Sequence, residues 1–574
     1  MPHRWILAAL LLALCLMAGA PVAATPILPP DAPRIYLPLV IRQPAPQPPL
    51  YRLVVAEDDL EWLYDPVNRW TYETVPGVFL YDGVAYEVEV RFRGGTVRYL
   101  SKKSWKIDFP AATPFQGQRE LNLNAEYTDK SYLREHLAYS VFHAAGFPAA
   151  RTRYVRLEVN GDHMGLYLQV EQIDPHFLHR VGWDPNGNLY KGDYGGNFNW
   201  GGVDYEEAYV KKTNKEDSHH DLIDLLWRIN LTPEEEFAAA LAEELDVGRY
   251  LDWYAVQIAI GNYEWLEKNY YLYHQLAADW WAFIPWDLDL TMGHNWGMNG
   301  ILDEDSTWDN PIDSGTVDSP KADGKWNKLI TRVLDNEALR FAYCRRLRAL
   351  LHGPFTESAL YPQIDATYNY IRAAAEADPY KWGPNVEFHA GPAELKTYIA
   401  QRRIWLLAQM PAYCPESGPM PVINEVQWPT ATDALTITPW IELYNPAVVS
   451  FDVGGMRLRA PTTGTLFLDW AIPPETVIPP GGFLRIWTDG LGAGDAVTLV
   501  DAPLYGDDVI ERVAPLSTTL SSTLWGRRPD GAEDWITLTH ATPGGSNLGR
   551  APTITATKRT PAAPQAGHPV TVTV

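Results

Sequence analysis

From Tyr51 onward the chain sorts into stretches of different hydrophobic period. Val84–Arg93 sets Tyr86, Val88, Val90 and Phe92 against Glu87, Glu89, Arg91 and Arg93, which predicts a half-buried strand. Leu53–Val55, Gly77–Tyr81 and Ser104–Phe109 read as further strands, and Gly94-Gly95 interrupts the pattern before the last of them. Tyr154–Val159 and Gly165–Val170 flank Asn160-Gly161, the signature of a tight hairpin. Leu133, Leu137 and Val141, with Ala138 and Phe142, fall at helical spacing; Asp129 or Ser131 is placed to cap that helix and Gly146 to end it. More helices are predicted at Leu222–Arg228, Pro233–Leu245 and Val247–Ile260, and a largely helical run from Lys325 to Gln409. Beyond Pro415–Pro421 the pattern turns to short strands between Pro/Gly turns: Val422–Trp428, Trp440–Tyr444, Thr465–Trp470, Gly482–Trp487, Ala496–Val500 and Trp535–Leu538. That predicts an all-β sandwich.

The chemistry concentrates between Gly261 and Gly297. Tyr270–His274 and Trp280–Ile284 predict a hairpin turning near Ala277, which brings Asn269 opposite the neighbourhood of Pro285. Asp287 and Asp289 then stand at the same open end as Asn269 and the Glu264–Lys268 loop, on the face opposite Trp286, Leu288 and Leu290. Two carboxylates beside a carboxamide form a hard-oxygen site suited to Mg²⁺. Glu264 precedes Asn269 by five positions, the offset of acid and asparagine in the catalytic loop of protein kinases. An Asp-x-Asp alone fits two other readings: a turn cap, and the metal site of a nucleotide-sugar glycosyltransferase. Arg91, Arg93, Arg98, Lys102, Lys103 and Lys106 form a dense basic island suited to phosphate, with Lys191 in a short strand, NLYKG, further on. Glu135 reads as a solvated helix residue or a partner for a strand lysine. Glu171 lies where a connector between two halves is expected. Gly182–Gly202 reads as a flexible loop or lid, and Asp303–Asp318 as a solvated acidic loop.

The 574 residues carry a formal charge of −24, with 46% apolar and 21% charged residues. Several globular domains are expected, and general nucleic-acid binding is excluded for want of cations. His3 and Arg4, the apolar run Trp5–Met17 and the small residues Val22-Ala23-Ala24 read as a secretory signal over residues 1–24, too short to remain as a membrane span. A secreted, extracellular or cell-surface location follows. Of the cysteines, Cys15 falls in that signal; Cys344 and Cys414 are left either to pair or to stand as two buried thiols. Residues 25–50 form a Pro-rich linker. The domains are then 51–413 and 420–548, with 549–574 the start of a further β-domain or a linker.

RFRGGTVRYLSKKSWKIDF, LEVNGDHMGLYLQVEQID, NLYKG, KNYYLYH and IPWDLDLTMGHNWG together resemble the CotH spore-coat kinase family. INEVQW, PWIELYNP, IPPGGFLRIW and HATPGGSN are similar to lamin-tail domains. The resemblance implies an α+β, two-lobed, atypical protein-kinase-like domain followed by an all-β immunoglobulin-like sandwich. It implies ATP and Mg²⁺ (Mn²⁺ in its place) as cofactors and Ser/Thr of exported or surface proteins as acceptor. Lys102, Lys103 and Lys106 supply the phosphate lysine, and Asn269, Asp287 and Asp289 hold the metal. Glu264 stands where the family has its catalytic aspartate, and Gly95-Thr96-Val97 replaces the family's Asn-Ser-Ser. Arg93, Lys102, Lys106, Glu171 and Lys191 complete the nucleotide set. The contrasting expectation is a non-catalytic surface or adhesion protein: a degenerate kinase-like scaffold whose sandwich binds a cell-surface or glycan partner.

Overall fold

The computed structural model describes residues 46–201, 204–296, 302–303, 308–321, 323–429, 438–461, 467–488, 491–492, 494–515, 524–547, 558–559 and 572–573. The expected signal at 1–24, nearly all of the Pro-rich stretch and most of 549–574 lie outside the described residues.

Seven strands close into a barrel. They are β1 Leu50–Val55, β2 Val75–Tyr81, β3 Val84–Arg93, β4 Ser104–Asp108, β5 Glu120–Asn124, β6 Thr152–Val159 and β7 Asp162–Glu171, in the order β1-β2-β3-β4-β5-β7-β6. Helix α1 (Glu57–Tyr64) follows β1, and α2 (Arg134–Ala144) lies between β5 and β6. The period-two pattern does what it predicted. Val88, Val90 and Phe92, Trp105 and Ile107, and Leu121 and Leu123 fill the barrel with Tyr51, Leu53 and Val155. The same alternation turns Arg91, Lys106 and Asn122 to the other face, side by side in register. On β7, and on β6 at Tyr154, apolar side chains are buried on both faces. Val155, Leu157 and Tyr167 enter the barrel, while Tyr154, Leu166, Leu168 and Val170 join a second core with Leu137, Ala138, Val141 and Phe142 of α2. An irregularity beside Leu157 and Glu158 shifts the register between them.

Beyond the barrel come α3 Pro175–Arg180, β8 Asn188–Gly192, α4 Tyr205–Ala208, β9 Tyr209–Lys211, α5 His220–Leu231, α6 Glu234–Glu244 and α7 Val247–Ala259. The hairpin β10 Tyr270–Gln275 and β11 Trp280–Pro285 follows, then α8 Lys328–Asp335, α9 Glu337–His352, α10 Glu357–Glu376 and α11 Asn385–Tyr413. Strands pair in the order β11-β10-β8-β9, with Tyr270 opposite Pro285 and Gln275 opposite Trp280. Cys344 of α9 is disulfide-bonded to Cys414, just past α11.

Two expected loops are packed instead. Within Gly182–Gly202, β8 pairs with β10, and Phe198 is buried with its N–H donated to the Tyr209 hydroxyl at 3.0 Å. In the acidic stretch, Asn310, Ser314 and Thr316 are buried, and the Ser314 carbonyl accepts from the Tyr254 hydroxyl at 3.1 Å. Residues 304–307 of that stretch lie outside the described residues.

The C-terminal region holds a five-stranded sheet (Phe483–Trp487, Trp440–Tyr444, Val422–Gln427, Leu524–Arg527, Trp535–Thr537) and a four-stranded one (Phe467–Ala471, Arg457–Pro461, Val497–Val500, Val509–Val513). Ile423, Val426 and Ile441 of the first share one core with Leu458, Val497 and Leu499 of the second. Arg345 of α9 grips Asp501 through two bonds of 2.8 and 2.9 Å and lies 3.5 Å over the Tyr505 ring.

Candidate functional site

A cleft of about 1200 Å³ opens beside the outward face of β3–β5. Arg91, Arg93, Lys106, Asn122 and Asn124 line one side, Glu126 and Glu135 the back, and Lys191, Lys212, Glu264, Lys268, Asn269, Asp287 and Asp289 the rest. The acid loop is anchored through its backbone. The Tyr263 N–H donates to the Leu290 carbonyl at 3.1 Å, and the Met292 N–H to the Ile260 carbonyl at 2.7 Å. Those bonds bind the end of α7 to the segment that follows β11. Side chains from the later helices and loops hold it from behind: Lys321 on the Tyr263 carbonyl at 2.9 Å, Asn327 on that of Leu266 at 2.7 Å, and Asn310 on that of Asn262 at 3.1 Å. Within the loop, Asn269 Nδ2 donates to Glu264 Oε2 at 3.3 Å, and Lys268 Nζ lies 3.0 Å from Glu264 Oε1. The spacing of five does bring acid and asparagine together.

Non-glycine residues with left-handed backbone cluster here. Asn269 (φ 61°), Asp287 (φ 57°) and Met292 (φ 51°) bracket the hairpin exit, and Glu126 (φ 54°), Thr128 (φ 55°) and Tyr132 (φ 59°) shape the loop before α2. Asparagine and aspartate tolerate that region; glutamate, threonine and tyrosine hold it only where the surroundings over-determine it.

The electrostatics are lopsided. Burial pushes the Asp289 carboxyl well up from its ordinary value, and Asp287, Glu135 and Glu264 push it further. Burial and then Asp287 raise Glu135 to about 7. Burial, Glu135 and Asp129 raise Glu126 well above the usual carboxylate range. Glu126 and Glu135 lie within hydrogen-bonding reach of each other, and among the described residues no other donor reaches the buried Glu126 oxygens, Glu135 Oε1 or Asn124 Oδ1. By contrast Asp129 is neutralised by Arg134 at 2.5 Å. Among the described residues no three His, Cys, Asp or Glu side chains are already drawn together around an ion's position. One wall of the cleft instead crowds carboxyls that hold their protons until a cation offsets their charge, with Asn269 beside them as a neutral oxygen donor. A divalent cation of the Mg²⁺ class, which keeps several waters and takes few protein ligands, suits that donor set.

The cations face these acids. Lys106 is held by Glu120 at 2.6 Å, and the Arg93 guanidinium lies 5.8 Å from the Trp286 ring centroid. Burial lowers the Lys191 ammonium while Asp287 and Asp193 pull it back up. Lys212 is lowered to about 8 by burial and by Lys191 and Lys215. Clustered like charges of this kind suit a polyanion.

Four expectations need correction. Lys102 does not reach the cleft: its side chain is fully buried, 2.8 Å from Asp378, and also donates to the Leu166 carbonyl at 2.6 Å and the Tyr132 hydroxyl at 3.2 Å. Strand alternation sets this, since only Lys106 falls on the outward face of β4. Lys103 donates to the Arg98 carbonyl at 2.6 Å and is not among the cleft-lining residues. Glu171 is tied to Arg180 at 2.6 and 2.7 Å and to the Arg151 N–H at 2.9 Å; its neighbour Gln172 lines the cleft instead. Glu135 is not solvated; it accepts from Asn124 Nδ2 at 2.8 Å in the cleft wall. The sequence reading missed Glu126, Lys212 and Lys215. No periodic signal marked them, although LNLNAE resumes the β5 alternation and runs straight into Glu126.

The family model described as CotH kinase protein matches residues 90–406, a span that contains every cleft residue named above. The chain belongs to the CotH kinase protein family. The chain is similar to the inner spore coat protein H of Bacillus subtilis (strain 168), 30% identical over 365 residues, covering 62% of this chain and 96% of that protein. A B. subtilis inner spore coat protein H-like protein is 31% identical over 102 residues, 18% of this chain and 31% of that one. Among solved structures, the Helicobacter pylori proinflammatory kinase CtkA is 12% identical, covering 59% of this chain and 90% of that one. Its TM-score of 0.22 is too low to bear on the fold of the CotH region.

Proposed function

We propose that this CotH-family chain is an exported protein kinase, transferring the γ-phosphate of ATP to serine or threonine of exported or surface proteins. The observation that carries the reading is the gathering of Glu264, Asn269, Asp287 and Asp289 in one cleft with Arg93, Lys106 and Lys191. Asn269, Asp287 and Asp289 would hold Mg²⁺ (or Mn²⁺), which when bound supplies positive charge against the phosphate oxygens. Arg93, Lys106 and Lys191 would orient the triphosphate by charge and hydrogen bonding. Glu264 would take the proton of the attacking hydroxyl as its oxygen bonds to the γ-phosphorus. The bond from that phosphorus to the β-phosphate oxygen breaks, and ADP leaves. Lys268 and Asn269 fix the Glu264 carboxylate, which offsets the freedom of its extra methylene relative to the family's aspartate.

On this reading the barrel and the helical body are the two lobes of an atypical kinase fold, and the hinge lies at Gln172–Asp174. The disulfide supports export, because cytosolic thiols stay reduced, and residues 1–24 serve as the export signal. The C-terminal sheets are assigned as a lamin-tail-like, immunoglobulin-like sandwich, supported by their common core. Exposed Trp470 and Trp487 there support a glycan or other cell-surface partner.

The test is transfer of labelled phosphate from ATP to serine-bearing peptides, alongside ATP–Mg²⁺ thermal shifts. Asp287→Ala and Asn269→Ala are expected to lower transfer at least ~100-fold without lowering the melting temperature of the nucleotide-free protein. A wild-type chain with neither shift nor transfer overturns the proposal and leaves the surface-binding scaffold as the function.

A further inference from the structure

A second group of cations runs along the rim of the same cleft, joined to the first where Arg91 of β3 lies opposite Lys106 of β4. It comes from two places in the barrel. The segment 69–72 supplies Arg69, Trp70 and Tyr72; β3 and the turn Thr96–Tyr99 supply Arg91, Arg98 and Tyr99. Arg98 locks the two together, donating from Nη1 to the carbonyls of Arg69 and Thr71, both at 3.1 Å. It is 4% exposed, and its Nε is buried without a hydrogen-bond partner.

Aromatic rings interleave with the guanidinium groups. Arg91 and Arg98 lie 5.3 and 5.4 Å from the Tyr72 ring, Arg98 is 5.9 Å from Trp70, and Arg69 is 4.3 Å from Tyr99. The rings are nonetheless open to solvent: Trp70 is 51% exposed, Tyr72 78% and Tyr99 55%. Among the described residues none of Arg69, Arg91 and Arg98 forms an ion pair with a carboxylate. That is unusual on a chain with a formal charge of −24, where acids are abundant. Asp108 and Glu120 are the carboxylates near Arg91, but neither is bonded to it; arginines held together on rings that keep them partly dehydrated, with no described carboxylate in contact, form an anion site.

Two properties choose among anions. Arg91 lies over the Tyr72 ring that buried Arg98 also contacts, and its guanidinium fork with Arg69 nearby matches a dianion with forked acceptors better than a single carboxylate. Exposed Trp70, Tyr72 and Tyr99 offer a surface for the polypeptide that carries the dianion, beginning where Arg91 borders Lys106 and extending away from it to Tyr99, which is not among the cleft-lining residues. We propose that this arginine–aromatic rim docks a polypeptide segment bearing phosphoserine or phosphothreonine, so that a substrate phosphorylated at one position is held for phosphorylation at another. The docking rests on the rim alone; that the held polypeptide is also the acceptor rests on the phosphotransfer reading above.

The test is fluorescence anisotropy of the full chain with one labelled peptide in three forms, carrying Ser, phosphoserine or Glu at the same place. Phosphoserine is expected to bind at least tenfold more tightly than either other form. Arg91→Ala and Tyr72→Ala should each remove most of that preference, and Arg91→Lys should recover only part of it. Both side chains are surface-reaching, and melting curves verify that the variants fold. Excess ATP should not displace the phosphopeptide. Equal affinity for the Glu form, displacement by ATP, or full binding by Arg91→Ala each overturns the proposal. Phosphopeptide binding without any ATP-dependent transfer would leave the rim in place and defeat the phosphotransfer reading instead.

Discussion

Replacing Lys102 by methionine separates a buried structural lysine from a nucleotide lysine. The ammonium and the Asp378 carboxylate are both fully buried, 2.8 Å apart. Asp378 Oδ2 also accepts from the Leu166 N–H at 2.8 Å and the Tyr132 hydroxyl at 3.0 Å, so one carboxylate joins β7, the loop before α2 and the end of α10. Burial lowers the Lys102 ammonium against the pull of Asp378, so the charged pair depends on both members. The space is closed as well: a Cβ on Gly165, which has φ 97°, would come within 2.1 Å of the Asp378 carboxylate. Lys102→Met leaves that carboxylate with three neutral donors, the Tyr380 N–H on Oδ1 being the third at 2.8 Å, and no counter-charge in a dry site. Losing one partner of such a pair costs about 3–5 kcal/mol, whereas replacing both by apolar residues of similar volume costs far less. Denaturant unfolding should therefore rank Lys102→Met well below wild type, with Lys102→Met/Asp378→Leu recovering much of the loss. The folded fraction of Lys102→Met should still show an ATP–Mg²⁺ thermal shift. A Lys102→Met protein of wild-type stability that no longer responds to nucleotide would refute this reasoning and return Lys102 to the cleft.

Glu135→Gln should change how stability depends on pH. The folded-state value, raised from 4.5 to about 7, means that the native state holds a proton the unfolded chain has lost between those values; stability falls as pH rises through that window, by about 3 kcal/mol in all. Denaturation at pH 5 and pH 8 without divalent ions should show this loss in wild type and much less of it in Glu135→Gln, and an equal loss in both would contradict the assignment. Reducing the Cys344–Cys414 bond, which closes a loop with a sequence separation of 70, should lower the stability of the CotH region by about 2–5 kcal/mol in unfolding curves run with and without reductant. No change would mean that α9 and α11 are held by packing alone.

What the sequence made legible was whatever repeats with a short period. The β3 alternation, the hairpin register around Tyr270 and Pro285, and the grouping of Glu264, Asn269, Asp287 and Asp289 all follow from local spacing, and the structure brings those four side chains into one cleft. The errors have one source. Lys102, Lys103 and Lys106 look alike in a row, and only strand direction distinguishes them: Lys106 falls on the outward face of β4, while Lys102 precedes the strand and turns inward to an aspartate 276 positions away. Glu135 sits where a surface helix residue is expected, but the helix packs against the end of β5, so Asn124 meets it and both are buried. Such facts depend on long-range contact, which no window of residues contains. The consequence is chemical as well as topological. Glu126, Glu135 and Asp289 crowd into one wall with too few donors, and the chain tolerates left-handed backbone at Glu126, Asn269 and Asp287 to keep them there. A wall of that kind weakens the protein when it is empty of positive charge and steadies when a cation enters, so binding and stability are coupled at the same side chains.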